Sequence, residues 1–253
     1  MTLVRSLVFQ ASFYVGLITL MIVGMPSMLI SRGAVLAFVR LWARFSLWLL
    51  AVICGVKVEF RGLRNLPPGA TIIAAKHQSF LETFALLTVL PNFTYILKKE
   101  LIAIPVFGWW LRAADQIAID RAKRGGILAQ LQRAVREKVA DGRQIVIFPE
   151  GTRKPVGAPP DYKSGVAVLC DACDLPCVPV ALNAGLFWPR RGLLRPSGTV
   201  VIEFLTPIAV GPNKRAFLEA LEGAIESATD SLVAEALAAN PGLACPAKVH
   251  AAA

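Results

Sequence analysis

Hydrophobic and polar positions divide the chain into an apolar first fifth and a longer stretch patterned for a globular α/β core. No charged residue falls between Arg5 and Arg32. Such a run is long enough for a helix to cross a hydrocarbon layer, which takes about 20 residues. Gly16, Gly24 and Pro26 lie inside it, so a kink or a shallow re-entrant path is the alternative to a clean span. A secretory signal fits poorly, because the apolar stretch is long and no small-x-small cleavage pattern follows. Residues 33–56 are again apolar but carry Arg40 and Arg44 on one helix face, with Trp42 and Trp48 nearby. That pattern predicts an interfacial amphipathic helix, or a helix packed back on the first.

From Val56 onward short apolar runs bounded by turn residues predict strands at 57–60, 71–75, 94–97, 116–119, 144–148, 178–182 and 199–204. Helical periodicity is clearest over 123–140, where Ile127, Leu128, Leu131, Val135 and Val139 share a face. It returns over 213–239, with Phe217, Leu218, Leu221, Ile225, Leu232 and Val233 inward. Strands alternating with helices predict an α/β fold, a mixed sheet of about seven strands flanked by helices and preceded by membrane-associated helices. The expected organisation is a membrane-anchoring helical segment at 1–56, a globular domain at 57–240 and a disordered tail at 241–253.

Composition sharpens this picture in two places. Hydrophobic residues make up 55% of the 253 and the mean hydropathy is +0.58, high for a soluble globule and low for a polytopic membrane protein. The 27 Lys and Arg against 17 Asp and Glu leave a net charge of +10, which suits nucleic acid, anionic lipid or phosphate-bearing substrates. No basic helix or aromatic-studded strand of a nucleic-acid reader is present, so lipid is favoured and nucleic acid is not an expected partner. Arg32, Arg40, Arg44, Lys57, Arg61 and Arg64 follow the first apolar segment and only Arg5 precedes it. If that segment spans, the bias places the remainder on the cytoplasmic side. The Cys170, Cys173 and Cys177 spacing resembles a metal ruler without a fourth ligand, and buried thiols are the expected reading, with no metal site.

Candidate chemistry begins at His77, where the apolar run 71–75 ends. The other histidine, His250, sits in the Ala-rich tail, so a general-base imidazole would have to be His77. Glu82 follows five residues later. An ideal helix would set positions five apart about 140° from each other, so the two can meet only if His77 precedes the helix. Ser79-Phe80-Leu81-Glu82 also fits a capping box, which would make Glu82 a structural cap and His77 a loop residue. Three more polar stretches fall near strand ends: Lys98 to Leu101, Gln116 to Arg121 and Phe148 to Arg153. Ligand sites in open α/β sheets gather beyond strand ends, so a base, several cations and a Gly turn would converge there. Arg190, Arg191 and Arg195, flanking Trp188, are assigned to lipid head groups or solvent rather than substrate.

The order of these blocks resembles the glycerolipid acyltransferase family, in particular its bacterial 1-acylglycerol-3-phosphate acyltransferases. The resemblance runs from about Val56 to Pro212 and rests on His77 to Glu82, Lys98 to Leu101, Asp115 to Arg121, Phe148 to Arg153 and Val178 to Val180. Two positions depart from the family's pattern: Glu82 stands where Asp is usual, and Asp115, expected to point away from the site, where Gly is usual. The resemblance implies transfer of an acyl group from acyl-CoA or acyl-carrier protein to lysophosphatidic acid, without metal or cofactor. It implies His77 as the base and Glu82 as its orienting partner. It assigns substrate binding to Lys98, Arg121, Glu150, Gly151, Thr152 and Arg153. The three cations would grip the phosphate, Gly151 would shape a turn, and Glu150 would hold a cation or a substrate hydroxyl. Backbone N–H groups near Ser79 are the expected oxyanion donors. The implied setting is membrane lipid at the cytoplasmic face of a bacterial inner membrane. Another lyso-lipid acceptor, such as a lysophospholipid or lyso-ornithine lipid, or a non-catalytic lipid-binding role, stands as the alternative.

Overall fold

The computed structural model describes residues 1–120 and 126–243. All seven expected strands form: β1 Val56–Arg61, β2 Thr71–Ala75, β3 Phe93–Lys98, β4 Ile117–Ile119, β5 Gln144–Ile147, β6 Cys177–Leu182 and β7 Gly198–Phe204. They make one sheet in the order β1-β7-β6-β2-β5-β3-β4. Only the β6–β7 pairing is antiparallel, so β1 and β7 run against the other five strands and the sheet is mixed. β2 lies at the centre, and Thr-Ile-Ile-Ala-Ala is buried at every position. Its lack of polar alternation is what a strand covered on both faces requires.

The helices are α1 Thr2–Val23, α2 Arg32–Leu49, α3 Leu81–Ala85, α4 Phe107–Ala113, α5 Ile127–Ala140, α6 Gly165–Cys173, α7 Ala184–Phe187 and α8 Lys214–Ala239. The strand pleat sorts side chains between two layers. Ile73 and Ala75 of β2 join the core beneath α1, α2 and α3, whereas Ile72 and Ala74 join the core beneath α5, α6 and α8. The expected helix at 123–140 is observed as α5; residues 121–125 lie outside the described range, as do 244–253 of the expected tail. At α8 the Asn213 side chain accepts N–H bonds from Arg215 (3.0 Å) and Ala216 (3.1 Å), which fixes the helix start. Cys170 and Cys177 are buried free thiols in the α5–α6–α8 core, where a hydrogen bond between them and burial push the Cys170 thiol well above its ordinary range.

Residues 1–56 share the core of the sheet. Phe9 and Phe13 of α1 are buried against Trp188, and Phe13 also meets Phe80 and Phe84. Ser6 Oγ accepts the Arg195 N–H (2.9 Å), and the Met21 carbonyl accepts the Trp110 indole N–H (3.2 Å), so α1 touches the domain along most of its length. Its outer side, with Leu7, Val8, Val15, Ile18 and Ile22, is exposed. Thr2–Val23 and Arg32–Cys54 are each long and apolar enough to cross a membrane. Two cations of the expected juxtamembrane cluster are used otherwise. Arg32 donates to Asn92 Oδ1 and the Phe93 carbonyl (2.7 Å each) and to the Ala114 carbonyl (3.1 Å), and Arg40 donates to the carbonyls of Leu90 and Pro91. They fasten α2 to the domain.

The turn into α4 is tight. Val106 has φ +63°, and the Phe107 N–H closes onto the Pro105 carbonyl at 2.6 Å. At Gly108 an added Cβ would stand 2.0 Å from the Ile102 carbonyl oxygen. Gly108→Ala is therefore expected to destabilise the fold by about 3 kcal/mol, although alanine is the better helix former by about 1 kcal/mol. Gly165→Ala, where nothing lies within 4 Å of the new Cβ, serves as the neutral control. Denaturant titration in detergent measures the difference.

Candidate active site

The parallel register of β2 and β5 places two loops side by side. Ala74 pairs with Ile147, and His77 and Glu150 stand three residues beyond each. The chain leaves β5 through a turn in which Gly151 N–H bonds the Phe148 carbonyl (2.9 Å). Pro149 supplies the first corner, and Gly151, at φ +66°, takes a left-handed conformation that few other residues tolerate. The turn then closes on the His77 peptide from both sides. Glu150 Oε2 accepts the His77 N–H (2.9 Å), and the His77 carbonyl accepts the Lys154 N–H (2.8 Å). Thr152 is half-buried in the same turn.

His77 Nδ1 lies 2.8 Å from Glu82 Oε1. The helix begins at Leu81 rather than Ser79, so His77 precedes it and the spacing of five no longer forbids contact. Glu82 Oε1 also accepts the N–H groups of Gln78 (2.9 Å) and Ser79 (2.7 Å), while Ser79 Oγ accepts the Leu81 N–H (3.1 Å). Cap and histidine partner, alternatives in the sequence, are here one carboxylate serving both purposes. Because that carboxylate has no solvent-exposed surface and meets only N–H groups, the imidazole presents Nδ1–H to it and Nε2 carries the lone pair. The ring stacks on Phe148 at 4.0 Å between centroids and 18° between planes, with 16% of the side chain exposed. One expectation fails at this turn. The Gln78 and Ser79 N–H groups already bond Glu82, so they are not the oxyanion donors.

The expected substrate cations divide. Arg153 lies in the turn beside His77, where its backbone carbonyl accepts from Arg190 Nη1 (3.0 Å). Arg190 thus reaches the site border, which sequence spacing did not indicate. Arg195 is buried, stacked 4.7 Å from the Trp188 ring centroid and bonded to the Gly192 and Leu194 carbonyls, so it is no head-group contact. Lys98 ends β3 and is exposed. It shares the pleat of Ile96, on the α5 face, whereas His77 continues the opposite face from Ile73 and Ala75. Its assignment to the phosphate grip is not supported by that placement. Arg121 lies outside the described residues. Asp115 does point away: it precedes β4, on the edge opposite the strand ends that carry His77, and bonds Lys138 Nζ (2.6 Å) and Arg143 Nη1 (2.7 Å). Its φ of +56° explains why glycine is usual there and why an Asp can replace it.

Glu150 does not face the site. Its side chain has no exposed surface, and its second oxygen bonds Lys76 Nζ at 2.9 Å. Of the two expected roles, holding a cation or a substrate hydroxyl, the geometry is that of the first, with the chain's own lysine as the cation. Burial pushes the Glu150 carboxyl above its ordinary range, against the pull of Lys76 and the His77 N–H. Lys76 Nζ also bonds Glu226 Oε1 of α8 (2.6 Å), which accepts the Tyr162 hydroxyl (2.7 Å). None of Lys76, Tyr162 and Glu226 stood out in the sequence. A lysine ending a fully apolar strand was the one available signal.

An α/β domain with a histidine–carboxylate pair at the carboxyl edge of a mixed sheet, seated beside apolar helices, is the class defined so far. The Acyltransferase family model matches residues 57–183, and the chain belongs to that family. It is 39% identical over 178 residues to a Pseudomonas aeruginosa protein named 1-acyl-sn-glycerol-3-phosphate acyltransferase, covering 70% of this chain and 67% of that one. The chloroplastic 1-acyl-sn-glycerol-3-phosphate acyltransferase BAT2 of Brassica napus is 31% identical over 189 residues, which span 72% of this chain and only 52% of the plant protein. The fold matches the crystal structure of the 1-acyl-sn-glycerophosphate acyltransferase PlsC from Thermotoga maritima with a TM-score of 0.76 at 22% identity, covering 92% of this chain and 98% of that one.

The double duty of Glu82 is separable. Glu82→Gln keeps an oxygen for all three N–H donors but removes the charge. It is expected to lower kcat by about 10²-fold or more, as in other histidine–carboxylate systems, at a stability cost under about 1 kcal/mol. Glu82→Ala also strands buried N–H groups and is expected to cost about 2 kcal/mol or more. Steady-state kinetics and denaturant titration on both variants check the distinction.

Proposed function

We propose that this acyltransferase moves an acyl group from acyl-CoA or acyl-carrier protein to the 2-hydroxyl of 1-acylglycerol-3-phosphate, forming phosphatidic acid. The observation that carries the reading is the 2.8 Å contact between His77 Nδ1 and the buried Glu82, which turns Nε2 outward as a base. In the step itself the alcohol oxygen attacks the thioester carbonyl as Nε2 takes its proton. The tetrahedral intermediate then expels the thiolate, which receives that proton. Glu82 keeps the tautomer fixed and offsets the charge of the imidazolium. Arg153 and Arg190, which meet in the turn beside His77, would hold the acceptor's phosphate and so choose which hydroxyl meets the base. The names of the P. aeruginosa and B. napus relatives support this acceptor. The exposed apolar sides of α1 and α2 support a membrane-held lipid substrate. The cytoplasmic face of a bacterial inner membrane is the setting this proposal gives the domain.

The test is acylation of lysophosphatidic acid by a long-chain thioester in detergent or vesicles, with CoA and carrier-protein donors in separate arms. Wild type is expected to form phosphatidic acid, and His77→Ala to lose about 10³-fold in kcat/KM. Turnover confined to another lyso-lipid would replace the acceptor while keeping the chemistry. Lipid binding without turnover on any acceptor would overturn the proposal.

A further inference from the structure

We infer that Lys76, held by Glu226 of α8, is a positioning residue for His77 and acts on it through Glu150. The inference rests on His77 being the base of the acyl transfer. Consecutive residues at the end of β2 leave on opposite faces. His77 goes to the α3 side and Lys76 to the α8 side, where its side chain is 3% exposed. There Nζ bonds Glu150 (2.9 Å) and Glu226 (2.6 Å), with the Tyr162 ring centroid 5.8 Å away. Glu150 passes the constraint back through the sheet, one oxygen on Lys76 and the other on the His77 N–H. The amide that begins His77 is thereby referenced to α8, which lies beyond the family-matched segment 57–183.

A structural role alone explains this arrangement poorly. Val166 and Ile225 share a core with Tyr162 on that side, where Asp230 and Glu222 of α8 also act on the cluster, and a buried ion pair is often no more stabilising than a well-packed apolar replacement. What an apolar side chain could not do is keep Glu150 a carboxylate. Without the lysine, burial would favour the protonated acid, and one of its oxygens would turn from acceptor to donor. The His77 N–H would then have a weaker partner, and the ring would lose its register with Glu82 and the acceptor hydroxyl. Glu226, accepting from both Lys76 and Tyr162, keeps the ammonium from swinging wholly onto Glu150.

The experiment uses the full chain in detergent with lysophosphatidic acid and a long-chain acyl thioester. It compares wild type, His77→Ala, Lys76→Met, Glu226→Gln, Glu150→Gln and the Lys76→Met/Glu150→Gln double variant. Lys76→Met is expected to lower kcat by about 50-fold with both KM values within about 3-fold, the signature of a misplaced base rather than lost binding. Glu226→Gln, at a partly exposed position that threatens folding less, is expected to lower kcat by about 5-fold with the same pattern. In the Glu150→Gln background, Lys76→Met should cost less than about 2-fold more, because the path through Glu150 is already cut. Losses that multiply in the double variant, losses in KM instead of kcat, or wild-type kcat in both Lys76→Met and Glu226→Gln would overturn the inference. Should Lys76→Met fail to fold, the kcat and KM of Glu226→Gln decide alone. Wild-type turnover with an inactive His77→Ala and unaffected Lys76 and Glu226 variants sinks only this inference. Absence of wild-type turnover sinks it together with the acyl-transfer reading.

Discussion

The structure depends most on the rung at which β2 and β5 pair. A parallel ladder fixes which residues of two neighbouring loops emerge together, because each strand continues at the same level. Here it delivers His77 and Glu150 to one height, and Glu150 grips the first atom of the histidine's own backbone. A register slip of one residue would exchange the faces of Lys76 and His77 and separate the imidazole from Glu82. Lys76 opposes that slip: Thr71 to Ala75 are buried on both faces and would be covered in either register, but the lysine would lose its bonds to Glu150 and Glu226.

That arrangement also explains why the apolar helices belong to the domain. Phe13 of α1 and Trp42 of α2 both meet Phe84, and the Phe80–Phe84 face of α3 directly follows the His77–Glu82 turn. The short α3, five residues long, would be a weak element by itself. The covering aromatic side chains and the caps from Glu82 and Ser79 hold it. The outer sides of α1 and α2 remain apolar and exposed, so the surface suited to lipid and the histidine are joined through one packed cluster.

Much of the fold was legible. All seven strands follow from short apolar runs between turn residues, and α5 and α8 follow from periodicity over long stretches. The short α3 and α4 were harder, since α3 depends on caps and α4 on a strained turn at Val106 and a glycine forced by Ile102. At the site, motif order identified His77, Glu82 and the Phe148–Arg153 turn. It could not say which way each side chain faced. For Glu150 the resemblance leaves a cation or a substrate hydroxyl as the partner, and strand geometry selects the cation by turning the carboxylate to Lys76. Lys98 carries its phosphate-grip assignment from the same resemblance, while pleat parity sets it on the other face. Glu226 was beyond reach, because its link to Lys76 joins positions 150 residues apart.

One buried carboxylate fixes the imidazole of His77 in a single tautomer. Nitrogen NMR of histidine-labelled protein addresses it directly, since the chain has only His77 and His250 to assign and His250→Ala removes one signal. For the neutral ring of His77 the account predicts a proton on Nδ1 and a bare Nε2, with an Nδ1–H signal displaced downfield and lost in Glu82→Ala. A proton on Nε2, or a ring averaging between tautomers in the intact protein, would contradict it.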